Sequence, residues 1–156
     1  MIDLGILNHG GKELTGKYMY HYAEKYSNDL GAAARLPFET WYNRVKNIPY
    51  ASDDTLFPEE PDRIVELVAR PGLLLNPKIF PRLDCKKKSI LLGAWAAANN
   101  RDFRFLAVSE IPSKEIHHVM AAVDYDGQGL KLIDATFPSY YLGKKYPITF
   151  AQELKR

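Results

Sequence analysis

The stretch Leu83-Asp84-Cys85-Lys86-Lys87-Lys88-Ser89-Ile90-Leu91-Leu92 decides how the chain is read. It holds the only cysteine among 156 residues and follows a segment broken by Pro77 and Pro81. Asp84 carries an N-cap side chain, able to accept from an orphan N–H of a first helical turn. Ile90, Leu91, Leu92, Ala94, Trp95 and Ala98 make residues 84–99 apolar almost all round, the pattern of a buried helix. Gly93 and the alanines let such a helix lie close on a sheet. Cys85 falls in the first turn, beside unpaired N–H groups and the positive end of the helix dipole. That position favours the thiolate, which is the nucleophilic form. Lys86, Lys87 and Lys88 spread over most of one turn and oppose the dipole. They read as mostly solvated, with one or two adding positive potential near the thiol.

Downstream the hydrophobic period changes from helical to alternating. Residues 103–108 (Phe-Arg-Phe-Leu-Ala-Val) read as a strand, 118–124 as a second and 130–137 as a third. Asp124-Tyr125-Asp126-Gly127-Gln128 between the last two is a hairpin signal. The fold class expected is α+β: N-terminal helices, then a central buried helix packed on an antiparallel sheet.

The hairpin loop decides which histidine of the pair His117-His118 meets Asp134. A three-residue loop, Tyr125-Asp126-Gly127 with Gly127 left-handed, sets Asp124 opposite Gln128 and His118 directly opposite Asp134. Opposed residues lie about 5 Å apart at Cβ, close enough for a His–carboxylate hydrogen bond. A two-residue Asp126-Gly127 loop puts His117 on that face instead. The first register is the favoured one. An aspartate within Lys131-Leu132-Ile133-Asp134-Ala135-Thr136 needs a partner, because a buried carboxylate without one is costly. A histidinium supplies one; nearby backbone N–H groups are the other possibility.

Upstream, residues 1–12 read as an irregular start containing His9. Residues 13–30 read as a helix presenting Leu14, Tyr18, His21, Tyr22 and Tyr26 on one packed face, with Gly31 as its C-cap. Pro37 opens a second helix over 38–47. Residues 49–62 are acidic and proline-rich, a surface loop without the spacing of a calcium loop. Ile64, Val65, Leu67 and Val68 suit a short helix ending before Pro71. Residues 140–147 read as loop, with 150–154 docking weakly. Composition fits one domain over 1–156: a helical part (1–63), a core (64–143) and a tail (144–156). A net charge of +2 does not point to nucleic acid. A lone cysteine excludes an internal disulfide, no apolar run reaches the roughly 18 residues of a membrane span, and residues 1–7 do not form a secretory signal.

Taken together, the motifs resemble those of the transglutaminase-like superfamily of the papain-like cysteine peptidase clan. Asp84-Cys85 with its apolar helix is similar to the family's Asp-Cys block. Asn100 to Val108 is similar to its helix end and following strand, His118-Val119 to its His-Val block, and Leu132-Ile133-Asp134-Ala135-Thr136 to its Asp block. The sixteen-residue His118-to-Asp134 separation also fits. The resemblance spans residues 64–143. The chain departs from the pattern at Leu83 (usually Gly), at the lysines after Cys85 (usually acidic) and at Met120 (usually aromatic).

The resemblance implies a cysteine acyl-transfer enzyme acting on a protein or peptide, a peptidase or amidase rather than a crosslinker, with no cofactor and no metal. Short single-domain versions of this kind are similar to bacterial and phage forms, so a cytoplasmic or virion-associated location is expected. In such a site Cys85 is the nucleophile, His118 the general base and Asp134 its orienting carboxylate. The Cys85 N–H is one oxyanion donor, with a second from Trp41, Tyr42 or Tyr50. Two other readings use the same residues. One is a catalytically silent binding or structural module. The other is a metal site of Cys85, His117 and His118, which lacks a second cysteine and the usual ligand spacing.

Overall fold

The computed structural model describes residues 4–8, 11–51, 65–109, 118–137, 139–146, 148 and 150–156. His9, His117 and nearly all of the acidic loop lie outside them. The fold is α+β. It contains strand β1 (Leu4–Asn8), helices α1 (Gly11–Lys25) and α2 (Phe38–Lys46), β2 (Val65–Ala69), α3 (Pro71–Leu74), α4 (Cys85–Ala98), β3 (Phe103–Ser109), β4 (His118–Val123), β5 (Lys131–Ile133) and β6 (Phe150–Glu153). A four-stranded antiparallel sheet has the order β5-β4-β3-β6, and β1 and β2 form a separate antiparallel pair.

Helix α4 is the centre of the core. Asp84 caps it by accepting from the Lys87 N–H at 3.0 Å. Every residue from Lys87 to Ala96 is buried. Gly93 lets the helix touch the sheet: a Cβ there would lie 2.8 Å from Phe105 Cζ and 3.0 Å from Phe103. Trp41 and Trp95 anchor the helix to what surrounds it, donating to the carbonyls of Leu91 and Leu36. Met19, Tyr22 and Ala23 of α1 and Phe38, Trp41 and Val45 of α2 join the same apolar cluster.

Several expectations are corrected. The first helix does not run to residue 30. The α-helix ends at Lys25, and a 3-10 segment, Ser27–Arg35, follows, with Gly31 at φ +55° inside it. Asp29 is held there by Arg70 (2.8 and 2.6 Å) and by the Gly72 N–H, so a long-range anchor overrides local helical propensity. On α1 the buried residues include Tyr20, whose hydroxyl accepts from the Phe105 N–H at 2.8 Å, whereas His21 is exposed. Residues 65–69 are a strand, not a helix. The irregular start expected before residue 12 supplies its partner, with Leu4 opposite Ala69. A short Val-rich run fits both periods, and pairing with a distant segment decides between them. Pro71 begins α3 rather than following a helix end. Residues 150–153 are an edge strand of the main sheet, with Leu154 buried beyond them.

The hairpin register also differs. Ala121 faces Ile133 and Val123 faces Lys131, so seven residues, 124–130, make the connection. Asp124 pairs through its N–H with Asp102 rather than with Gln128. The Asp124 and Asp126 carboxylates accept the Gly127 and Gln128 N–H groups, local bonds that compete with the ladder. Gly127 is left-handed as expected (φ +80°), and Gly129 joins it (φ +104°). The ladder is offset by two residues from the tight-loop register. An even offset leaves every side chain on its expected face.

Candidate active site

Cys85 is the first residue of α4, directly after its cap, and is half-buried. His118 opens β4 and Asp134 lies one residue past the end of β5. The fold brings these three residues together. His118 Nε2 is 3.1 Å from Asp134 Oδ1, and the Cys85 thiol lies near enough to the ring to act on its charge. The Nε2–Oδ1 approach has ion-pair distance, but it is too bent to count as a hydrogen bond by angle. With Nε2 turned to Asp134, Nδ1 is the nitrogen available to the thiol. Burial of the imidazole disfavours its charged form. Asp134 and Cys85 outweigh that and push the His118 pKa up to about 10.

Asp134 sits where the ladder has ended, so its backbone needs other partners. The Tyr42 hydroxyl donates to its carbonyl at 2.6 Å, and its N–H donates to the Tyr146 hydroxyl at 3.2 Å. The Thr136 N–H donates to Oδ1 at 3.0 Å, closing a local turn around the carboxylate. Burial, with the nearby Asp134 charge, raises the pKa of both tyrosines, Tyr146 to about 12. Both hydroxyls therefore stay protonated at neutral pH.

The lysine run is not solvated. Lys87 and Lys88 are 1% and 2% exposed. Lys86 and Lys87 both pair with Asp84 Oδ2, at 3.0 and 3.2 Å. The two cations hold the Asp84 carboxyl below its ordinary pKa against the effect of burial. The capping aspartate therefore neutralises the charge that opposes the dipole, which permits lysines in a buried first turn.

Of the upstream oxyanion candidates, Trp41 and Tyr42 have their donors committed to Leu91 and to Asp134 and Tyr140. Tyr50 is brought alongside Leu83 by a parallel bridge, with the Leu83 N–H donating to the Pro49 carbonyl at 2.8 Å. Phe137 packs on the His118 ring, centroids 4.9 Å apart, and is 40% exposed. Neither Phe137 nor the Tyr42–Tyr146 pair was singled out for these roles by sequence reasoning. The turn residues after Asp134 were the available signal for Phe137, whereas nothing in the residue pattern links Tyr42 to a segment ninety-two positions away.

Among the described residues no group of three or more His, Cys, Asp and Glu side chains is placed to hold a metal ion. A separate cavity of about 490 Å³, lined by Lys17, Tyr20, His21, Glu24, Lys25 and Arg156, contains none of the three site residues. No helix among the described residues is long and apolar enough to cross a membrane. The chain matches no family model, no curated protein and no solved structure.

Proposed function

We propose that this protein is a cysteine acyl-transfer enzyme of the transglutaminase-like kind, hydrolysing a peptide or amide bond with Cys85, His118 and Asp134. The observation that supports this most is the chain of contacts from a half-buried thiol at a helix start, through a histidine, to a buried carboxylate. In the first half-reaction the thiol proton already sits on His118, whose raised pKa keeps it charged, and the Cys85 thiolate of this ion pair attacks the carbonyl carbon. The tetrahedral oxyanion then forms beside the Cys85 N–H at the α4 N-terminus. Collapse breaks the C–N bond, and His118 returns the proton to the leaving amine, giving a thioester. In the second, His118 takes a proton from water, the hydroxide attacks the thioester, and the thiol is regenerated with release of the acid. Asp134 stabilises the imidazolium formed in each half and keeps the ring in place.

Alkylation of Cys85 by iodoacetamide at pH 6.5 tests the reading. The wild-type thiol is expected to react at least about tenfold faster than in His118→Ala, since removal of a paired base costs roughly that factor or more. Equal rates in the two folded proteins overturn the enzyme reading and leave a binding or structural module with an inert cysteine.

A further inference from the structure

The mechanism above makes no use of Lys88. This residue lies one helical turn beyond Cys85 on α4, with its ammonium buried. It donates to the Ala135 carbonyl at 3.1 Å and to the carbonyl of Lys46, the last residue of α2, also at 3.1 Å. Ala135 follows Asp134, and β5 has already ended at Ile133. The backbone here is therefore held by side chains in place of a neighbouring strand: Tyr42 and Tyr146 on Asp134, Lys88 on Ala135. A buried ammonium is costly where an apolar side chain of similar length would pack. At this position it satisfies two carbonyls from two different elements at once. The Asp134 carboxylate is its nearby counter-charge, opposing the effect of burial on the ammonium.

We propose that Lys88 is a positioning residue that ties the helix bearing Cys85 to the segment bearing Asp134, and so sets the approach of Asp134 to His118. Its catalytic meaning rests on the acyl-transfer reading; its structural content does not. The titratable and charged groups at this junction are Tyr42 and Lys46 from α2, Cys85 from α4, His118 from β4, and Asp134, Tyr140 and Tyr146 from the segment after β5. The Lys46 ammonium is itself engaged by the Tyr140 carbonyl.

The test is an NMR titration of the His118 ring in the full-length chain, with Asp134→Asn as the reference. In Lys88→Met two effects have opposite signs. Loss of a nearby cation by itself raises the His118 midpoint. Loss of the Asp134 approach lowers it. The proposal expects a fall of about one pH unit or more, towards the Asp134→Asn value. A midpoint that is unchanged or that rises overturns it, because a lysine that only fills space or only adds charge cannot lower it. Should Lys88→Met fail to fold, Lys88→Gln keeps an amide NH₂ donor group, on a slightly shorter side chain, without the charge. There a partial fall supports the proposal, and no fall overturns it. The titration needs no turnover, so its outcome is distinct from that of the alkylation test: a slow Cys85 with a lowered His118 midpoint in Lys88→Met rejects the enzyme reading and leaves the positioning role standing.

Discussion

Asp84 has two roles in one side chain. It caps α4 through the Lys87 N–H and is the counter-charge for the Lys86 and Lys87 ammonium groups. Asp84→Ala removes both, and the Lys87 ammonium then stays buried without its carboxylate. The expected loss is roughly 3–5 kcal/mol, the range for breaking a buried pair from one side, and more than the ~1 kcal/mol of a lost cap alone. Urea unfolding measures it. Asp84→Asn, which keeps an N-cap acceptor, separates the two parts and should recover only the cap. The capping role was legible in the residues, because N-caps are read from a local pattern. The burial of the lysines was not: their consecutive placement argues for solvent, and only the fit of Asp84 between two of them reverses that. His21 and Tyr20 show the same limit. Spacing places His21 on the packed face of α1, whereas the fold buries Tyr20, whose hydroxyl accepts from the Phe105 N–H, and leaves His21 exposed.

At the scale of elements, the contact between α4 and β3 depends on a missing side chain. Gly93→Ala places a methyl carbon within about 3 Å of the Phe103 and Phe105 rings, which also pack on each other and on Tyr20. The rings have little room to give way, so overpacking by about 1–3 kcal/mol should exceed the gain in helix propensity of roughly 1 kcal/mol. A lower midpoint of thermal unfolding in Gly93→Ala checks this; a higher one would mean that the rings shift freely. The long buried helix and the β3 and β4 strands were readable because their periods extend over several residues. The β1–β2 pair was not, since each strand is short and its partner is some sixty residues away. The hairpin was recognised from Asp-Gly, but its length was set by two aspartates capping the turn. His118 nevertheless shares a face with Asp134, because the offset is even.

For the whole molecule, the charged groups make stability fall towards both ends of the pH scale. His118 is raised to about 10 from an ordinary value near 6.5, so its contribution is complete below about 6.5 and fades as pH rises towards 10. Asp29 is lowered, chiefly by its hydrogen bonds from Arg70, and Asp84 is lowered by Lys86 and Lys87 against burial. Their contributions are present above about 4 and are lost as pH falls through the lowered values. The midpoint of thermal unfolding should therefore peak between about pH 4 and 6.5. The alkaline decline should be shallower in His118→Ala, and the acid decline shallower in Asp29→Asn. A decline of unchanged slope in His118→Ala would mean that the pair with Asp134 does not contribute to folding.

The residues alone determined the α+β class, the buried helix starting at Asp84 and the three side chains of the candidate site. Each follows from short-range physics: a cap, a period and a carboxylate that needs a partner. Only the tertiary structure decided which groups hold Asp134, why three lysines can follow Cys85 and where β1 finds its partner. Those answers depend on segments tens of residues apart meeting in a core where most buried polar groups need partners, a condition that no local pattern carries. The thiol at the head of α4 thus belongs to a candidate site whose other two members, His118 and Asp134, stand thirty-three and forty-nine residues further along the chain, and whose Asp134 segment is held by Tyr42, Tyr146 and Lys88 from elsewhere in the fold.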